Sequence, residues 1–369
     1  MPRNNVTPRV FVAATRMNDG KTTTSLGLLS AMQQHHRRIG YIKPVGQRFV
    51  EIEEQKIDED SVLMQRVYQL EAPLGDMSPI AVEPDFTRKY LESSNNEALV
   101  RRIEKAFDRV AWEKDFVLCE GSGHAGVGSV FDLSNATIAR LLNSKVIVVT
   151  QGGIGRPIDE LAMNQALFER EGVQIMGVIL NKVIPEKLQY ISDIVRKGLK
   201  RRGLDLLGVI PHLPLLSSPT LAAIREELDA DILNSTAGIN NIVERVVVGA
   251  MSVHHAMHHF TPGALLITPG DREDILLAAG AALSRTDVTG TLAGVVLTDN
   301  VRPSAAVMRI VREMPFPVLL AENNSYEVAS QVHDLTIKTR PADTQKIQMI
   351  RDLVSRHVDV NAILNRMAG

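Results

Sequence analysis

The sequence predicts an α/β fold in which a doubly wound parallel sheet is followed by a smaller α/β domain. Short apolar runs alternate with helical patterns, as in strands joined by helical crossovers. The runs in the first part of the chain are almost continuously apolar, which is typical of strands covered by helices on both faces. They are Val10–Ala14, Gly40–Lys43, Phe116–Glu120, Lys145–Thr150, Ile175–Leu180 and Leu206–Ile210.

Each of these runs is joined to the next by a segment with helical periodicity. These segments lie near 21–36, 59–69, 97–110, 133–142, 157–171, 185–202 and 219–228. A second pattern has strands Ala264–Thr268, Gly294–Thr298 and Val318–Ala321, with helices near 239–250, 272–284, 303–313 and 325–334. We therefore predict domains at 1–235 and 236–342, followed by a C-terminal helical segment at 343–369, in which we expect Asp359 to cap a helix.

The composition limits which partners the protein could bind and in which compartment it would fold. The 369 residues carry 41 Lys and Arg against 43 Asp and Glu, so no basic field favours nucleic acid. A single cysteine rules out an intrachain disulfide and favours a reducing compartment. We see no signal peptide and no run near the ~20 apolar residues that a membrane span needs. The expectation is a soluble cytoplasmic protein with no membrane partner.

The most informative segment is VFVAATRMNDGKTTT at residues 10–24. A strand, a glycine turn, Lys21-Thr22 and a helix form the layout of a phosphate-binding loop. Its backbone N–H groups face the anion, Lys21 reaches the β- and γ-phosphates, and the Thr22 hydroxyl ligates Mg²⁺. The common form of the motif has a glycine where this chain has Thr15. The alternative interpretation is an ordinary strand-to-helix turn with an exposed lysine.

Charged residues at other strand ends indicate where phosphate and metal would bind. Lys43 ends the second strand, so we expect it to converge with Lys21 at the carboxyl edge of the sheet. Glu120 ends a third strand and is suited to hold Mg²⁺ directly or through water. Asp60 is the candidate second carboxylate, and Asp58 competes with it. The alternative role of this acidic run is to cap a helix.

Two later strand ends carry groups suited to a nucleotide base. Asn181 has an amide that can both donate to and accept from an adenine edge. Pro211 can restrict the loop that packs against the base. The glycine-rich loop Gly121–Gly128 is either a phosphate or substrate loop or a flexible connection. In the second domain, Arg272 either contacts phosphate or belongs to an ordinary helix start.

These residues resemble the dethiobiotin synthetase group of P-loop proteins, which includes the ATP domains of cobyrinic acid amide synthetases. The matching elements are Thr15, Gly20-Lys21-Thr22, Lys43-Pro44-Val45, Asp60, Glu120-Gly121, Asn181 and Gly208-x-Ile210-Pro211. In that group a Thr at the first loop position is normal. The resemblance implies ATP and Mg²⁺ as cofactors, with a phosphate cradle from Asn18 to Thr22, the metal near Thr22, Asp60 and Glu120, and adenine near Asn181 and Pro211. The resulting candidate nucleotide contacts are Thr15, Arg16, Asn18, Asp19, Gly20, Lys21, Thr22, Thr23, Asn181 and Pro211, and the candidate catalytic residues are Lys21, Lys43 and Glu120.

Over nearly its whole length the chain is similar to the N-terminal part of long phosphotransacetylases, which join a dethiobiotin-synthetase-like domain to a DRTGG domain. The second part is carried by Val248–Met251, Pro262–Thr268 and Gly270–Asp274. The resemblance implies a DRTGG domain that binds a regulatory ligand or a protein partner, and assembly into a homo-oligomer. Because the chain stops at Gly369, we expect no acetyltransferase activity. Since Cys119 lies in a predicted buried strand, we expect no glutaminase.

Three functions follow from these features. The first is an ATP- and Mg²⁺-binding regulatory or scaffold ATPase related to the non-catalytic part of phosphotransacetylase. The alternative is an ATP-dependent carboxylate or amine ligase of the dethiobiotin synthetase or cobyrinic acid amide synthetase type. The third is a partition-type switch ATPase, in which Arg16 would reach phosphate across a dimer. We favour the first.

Overall fold

The computed structural model describes residues 4–93, 95–281, 292–335 and 337–368. The chain forms two compact units, one made of Met1–His212 with Thr339–Gly369 and the other of Leu213–Lys338. Both units are α/β layers built on a mainly parallel sheet, so the predicted fold class is confirmed.

The described elements follow the predicted alternation of strands and helices. The strands are β1 (Arg9–Ala14), β2 (Ile39–Ile42), β3 (Val45–Gly46), β4 (Phe49–Ile52), β5 (Gln55–Asp58), β6 (Ile80–Ala81), β7 (Phe116–Glu120), β8 (Lys145–Gln151), β9 (Ile175–Val183), β10 (Leu206–Pro211), β11 (Asp231–Ile232), β12 (Arg245–Val248), β13 (Ala264–Pro269), β14 (Gly294–Thr298) and β15 (Val318–Leu320). The α-helices are α1 (Lys21–Gln33), α2 (Glu59–Tyr68), α3 (Leu74–Met77), α4 (Phe86–Glu92), α5 (Asn96–Val110), α6 (Asn135–Leu141), α7 (Arg156–Arg170), α8 (Leu188–Lys200), α9 (Leu221–Glu227), α10 (Val253–Ala256), α11 (Glu273–Ala281), α12 (Ala305–Val311), α13 (Ser325–Asp334), α14 (Thr344–His357) and α15 (Val360–Ala368). The end of the predicted helix 272–284, at 282–284, lies outside the described residues.

The sheet of the first unit has six parallel strands in the order β10-β9-β8-β1-β7-β2. The central strand β1 is buried along its whole length, because helical crossovers cover both faces of the sheet. The chain leaves β1 toward β2 on one side and later continues toward β8 on the other. A loop that follows β1 therefore lies where the strand order reverses, which is where open α/β sheets bind ligands.

A short antiparallel hairpin, β4–β5, was not predicted from the sequence. Its turn is formed by Glu53 and Glu54 at φ angles of 48° and 64°, without the Asn-Gly or Asp-Gly pair that normally marks such a turn. The hairpin matters for the site because β5 ends at Asp58, directly before α2.

The C-terminal segment belongs to the first unit. Right-handed crossovers place α6, α7 and α8 on the sheet face opposite α1, and α14 and α15 contact both α1 and β10. The Asp359 N–H donates to the carbonyl of Leu207 (2.8 Å), and Asp359 Oδ1 accepts from the N–H of Ala362 (2.9 Å). Helices α14 and α15 therefore pack beside α1 and over β10, instead of forming the separate segment predicted at 343–369.

The second unit has the sheet order β11-β15-β14-β13-β12, and of the strands described in this sheet β11 alone is antiparallel to its neighbour. One sheet face packs against α11 and α12 through residues such as Ile275 and Val311, and the other packs against α9 and α13. Leu221 and Ile224 of α9 are fully buried in that second core. This burial explains why the structure divides the chain at His212, and not near the predicted position 235.

The prediction of a helix near 239–250 is wrong. Residues Arg245–Val248 form β12, an edge strand that pairs in parallel with β13. The run of three valines has high β propensity, and pairing with β13 decides the outcome. Among the described residues, no helix combines the length and apolar character needed to cross a membrane.

The contact between α1 and α14 gives a testable prediction. A Cβ built on Gly27 would lie 2.2 Å from Val354 Cγ2. Gly27→Ala therefore destabilises the protein by about 1–3 kcal/mol through overpacking, although Ala normally stabilises a helix interior by ~1 kcal/mol. We expect Val354→Ala to relieve the clash, so that the double variant costs less than the two single variants added together. Urea unfolding of the four proteins measures this, and strictly additive costs would contradict the packing.

Candidate functional site

The loop between β1 and α1 presents unsatisfied backbone donors. Asn18 and Gly20 have φ angles of 65° and 92°, which turn the chain into α1. The helix begins without a side-chain cap and without an acidic residue in its first turn. Within the described part of the chain, the N–H groups of Lys21, Thr22 and Thr23 have no hydrogen-bond acceptor. Such a helix N-terminus carries partial positive charge and is suited to bind phosphate.

Thr15 and Asp19 brace the loop from inside. Asp19 Oδ2 accepts hydrogen bonds from Thr15 Oγ1 (2.7 Å) and from the N–H of Arg16 (2.8 Å). Thr15 Oγ1 also lies 2.8 Å from Thr150 Oγ1 on β8. Both side chains are buried, so the structure places them in the frame of the loop and not on its open side. Thr15, which stands where the motif usually has glycine, therefore stabilises the loop through its hydroxyl.

Asn181 supports the same loop. Its Nδ2 donates to the carbonyl of Asp19 (2.9 Å), and Lys182 Nζ donates to the carbonyl of Asn18 (2.9 Å). A Cβ built on Gly20 would lie 2.0 Å from Asn181 Nδ2. Glycine is therefore required at position 20 both by its φ angle and by the close approach of Asn181.

The two residues predicted to contact adenine, Asn181 and Pro211, lie at the ends of neighbouring strands. The Oδ1 of Asn181 accepts from the N–H of Lys182 (2.9 Å), so the amide already bonds within the protein at both ends. Pro211 lies at the end of β10 and pairs with Val183 on β9. Asn181 and Pro211 thus occupy the same edge of neighbouring strands, and their contact with a base stays a prediction.

Glu120 lies fully buried beside the loop. Its Oε1 accepts from Thr22 Oγ1 (3.0 Å), and its Oε2 accepts from the Tyr41 hydroxyl (3.1 Å). Burial and the nearby Asp60 carboxylate raise the pKa of Glu120. Burial also lowers the pKa of Lys21, and the Glu120 charge opposes that shift. A hydroxyl and a carboxylate therefore meet beside a lysine at the start of α1.

Lys43 does not point its charge at an open phosphate site. Its ammonium is buried between two carboxylates, 2.9 Å from Asp58 Oδ1 and in contact with Asp60 Oδ2. Burial alone would lower the pKa of Lys43, but Asp60 and Asp58 outweigh burial and raise it well above its usual value. The structure thus brings Lys43 and Asp60 together as an ion pair, and Asp58 completes the group.

Arg16 is held by its own chain. Its Nε lies 2.9 Å from Glu160 Oε2 on α7, and one terminal nitrogen donates to Gln151 Oε1 (3.1 Å). The same nitrogen lies 3.7 Å from Asp19 Oδ1. These contacts connect the β1–α1 loop to α7 and to the end of β8. The hypothesis that Arg16 reaches a phosphate across a dimer gains no support from this arrangement.

The glycine-rich loop Gly121–Gly128 is built rigidly. The N–H of Ser122 donates to Asn135 Oδ1 (3.0 Å), and the N–H of Ala125 donates to Asn164 Oδ1 (2.7 Å). Asn135 Nδ2 donates back to the carbonyl of Ser122 (2.9 Å). Because side chains inside the protein accept these donors, the loop differs from the open donor row at the start of α1.

In the second unit, Arg272 is engaged internally. It pairs with both carboxylate oxygens of Asp274, at 2.9 and 3.0 Å. It also donates to the carbonyls of Gly249 and Met251, at 3.3 and 3.2 Å. The guanidinium therefore ties the loop after β12 to the start of α11, which favours the structural interpretation over a phosphate contact.

Sequence reasoning missed Tyr41 and Glu160 and ranked Asp58 below Asp60. Tyr41 could have been found, because it precedes Lys43 by two residues in a strand and so shares its face. Glu160 lies on α7, far along the chain from Arg16, and no local pattern connects the two. Asp58 does cap α2 by accepting the N–H of Asp60 (2.9 Å), as its alternative role requires.

Curated relatives align with almost the whole length of this chain. The phosphate acetyltransferase of Synechocystis sp. is 29% identical over an alignment of 377 positions, which covers 98% of this chain and 52% of that protein. The phosphate acetyltransferase of Nitratidesulfovibrio vulgaris is 25% identical over 368 residues, covering 97% and 51%. This chain therefore spans about half the length of the curated relatives it matches. Among solved structures, the septum site-determining protein MinD of Pyrococcus horikoshii, complexed with Mg-ADP, is 16% identical with a TM-score of 0.35, covering 57% of this chain and 84% of that one.

These relatives correct one expectation from the sequence. The expectation that this chain is no acetyltransferase, with an ATPase or an ATP-dependent ligase as the possible activity, is contradicted, because relatives over nearly its full length are named phosphate acetyltransferase. The expectation rests on the chain stopping at Gly369, and the position of a chain end does not decide the activity in which a protein takes part.

Family models match both units. The DRTGG domain model matches residues 223–335, which fall within the second unit. The AAA domain model matches residues 8–220, which include the β1–α1 loop, Lys43, Asp60, Glu120 and Asn181. The finer resemblance to dethiobiotin synthetases stays a prediction. Since the AAA domain match spans more than half of the 369 residues, the chain belongs to the AAA domain family and carries a DRTGG domain after it.

Proposed function

We propose that this chain binds ATP with Mg²⁺ at the β1–α1 loop, and that the bound nucleotide regulates an acetyl transfer involving phosphate. The single observation that carries the nucleotide proposal is the uncapped first turn of α1. Its three N–H groups are supplemented by the Lys21 ammonium, which has no ion-pair partner within the described residues. A polyphosphate supplies the acceptors and the negative charge that this arrangement lacks.

Thr22 and Glu120 fit a Mg²⁺ ion. Among the described residues, no three His, Cys, Asp or Glu side chains are grouped as in an all-protein metal site. Mg²⁺ beside a triphosphate does not need such a group, because phosphate oxygens and water supply most of its six ligands. The Thr22 hydroxyl and the buried Glu120 carboxylate, 3.0 Å apart, would supply the rest. The ion would neutralise phosphate charge, and Lys21 and the N–H groups would hold the phosphates in place.

The regulatory part of the proposal rests on the relatives. They are named phosphate acetyltransferase, and this chain matches about half of their length with an AAA domain and a DRTGG domain. We infer that these two domains bind nucleotide and thereby regulate an acetyl-transfer reaction. Assembly into a homo-oligomer and binding of a regulatory ligand by the DRTGG domain stay predictions.

Lys21→Ala tests the nucleotide site. Loss of the ammonium beside the phosphates weakens ATP affinity by about tenfold or more, which corresponds to 1.4 kcal/mol, as measured by isothermal titration. The matched control is Lys197→Ala, which removes an exposed lysine from the last turn of α8. We expect Lys197→Ala to bind like the wild type. Equal affinity for Lys21→Ala and wild type would contradict the assignment of the site.

Acetyl transfer tests the regulatory proposal. We expect phosphate acetyltransferase activity to co-purify with the chain when it is isolated from its own cells, and to change when ATP and Mg²⁺ are added. The Lys21→Ala chain should carry the activity but not its response to ATP. The proposal fails if the wild-type preparation has no such activity, or if both chains respond to ATP alike.

Glu120→Gln separates stability from metal binding. Because the folded pKa of Glu120 is raised, its buried charge destabilises the protein above that pKa, and protonation relieves the cost as the pH falls. We therefore expect Glu120→Gln to raise the free energy of unfolding at pH 7, with a smaller gain at pH 5, in the absence of Mg²⁺. The same variant should lose Mg²⁺-dependent ATP binding. A lower free energy of unfolding at pH 7 would contradict this account.

A further inference from the structure

One ammonium group serves two carboxylates beside the proposed nucleotide site. Lys43 Nζ contacts both Asp58 and Asp60, and all three side chains are at least nine-tenths buried. One positive charge therefore faces two negative charges, so one carboxylate can leave while the other keeps the lysine paired. A buried lysine that loses every partner strongly destabilises the fold. The second carboxylate prevents this loss when the first one leaves.

Asp58 is the carboxylate that cannot leave. Its N–H donates to Ser78 Oγ (2.9 Å), and its Oδ1 accepts the N–H of Asp60 at the start of α2 (2.9 Å). Gly46 packs so closely that a Cβ there would lie 2.6 Å from Asp58 Oδ2. Within the described residues, that oxygen is buried without a hydrogen-bond partner. Asp58 is thus fixed by both its backbone and its side chain, and it has acceptor capacity to spare.

Asp60 is placed to exchange partners. It lies in the first turn of α2 and contacts Lys43 Nζ, and after burial it is the largest cause of the raised pKa of Glu120. A divalent cation at Thr22 and Glu120 would attract this nearby carboxylate and weaken its pairing with Lys43. The cost of that exchange is low only if Asp58 keeps the ammonium.

We propose that Asp58 is a positioning residue that retains the Lys43 ammonium when Asp60 turns toward the Mg²⁺ of a bound nucleotide. This inference rests on the proposed function, because it needs Mg²⁺ and ATP at the β1–α1 loop. It assigns Asp58 no contact with nucleotide or metal. It also gives Lys43 a role as the group that Asp58 and Asp60 share.

The test is the ratio of ATP affinities with Mg²⁺ and with EDTA, measured by titration calorimetry on the full chain. Asp58→Asn keeps the helix cap, since Asn and Asp cap equally well, and removes the charge. We expect this ratio to fall by about tenfold or more, because Asp60 can then leave only by stranding a buried ammonium. In a Lys43→Met background, no ammonium needs a partner, so Asp58→Asn should lower the ratio far less than it does beside Lys43.

The outcomes separate the inference from the proposed function. If the wild type binds no ATP, or binds it equally well with EDTA, the proposed function fails. If the wild type shows the Mg²⁺ effect, the inference is overturned by an unchanged ratio in Asp58→Asn. It is also overturned by an equal fall in both backgrounds, which would mean a purely structural role. Should Asp58→Asn fail to fold, Asp58→Ser, which also caps a helix, takes its place in the same comparison.

Discussion

The first turn of α1 is the constraint on which the first unit depends. Its free N–H groups have no partner among the described residues, and leaving such donors unsatisfied costs free energy unless water or a ligand accepts them. The surrounding contacts hold the loop in this open form. Asp19 braces it from within, Asn181 and Lys182 fix its backbone carbonyls, and Arg16 ties it to α7. A loop held this firmly is preorganised to bind an anion at little conformational cost.

The charges around this loop favour a cation as well as an anion. Two lysines, Lys21 and Lys43, face three buried carboxylates, Asp58, Asp60 and Glu120. Burial makes these negative charges expensive, and a divalent cation beside them would lower that cost. The acidic cluster and the open first turn of α1 are therefore consistent with the same proposed ligand, a nucleotide with its divalent cation.

The sequence predicts the strands and the strand–turn–helix geometry of the β1–α1 loop well because their signals are local. Each buried strand of the first sheet is a compact apolar run, and the Gly20-Lys21-Thr22 turn lies between a strand and a helix. Prediction from the sequence fails where pairing between strands decides the structure. Arg245–Val248 lies in a predicted helix but forms a strand that pairs with β13. Prediction also fails where the partner is remote. The return of α14 to α1 and the pairing of Arg16 with Glu160 depend on contacts that no sequence spacing reveals.

The central claim is that the phosphates of a nucleotide lie on the N-terminus of α1 with a divalent cation beside Thr22 and Glu120. The most direct measurement is a crystal structure of the full chain with a non-hydrolysable ATP analogue and Mn²⁺, located by its anomalous scattering. The account predicts phosphate oxygens accepting from the N–H groups of Lys21, Thr22 and Thr23, with the manganese peak next to Glu120. Phosphates bound elsewhere, or a manganese peak away from Thr22 and Glu120, would contradict it.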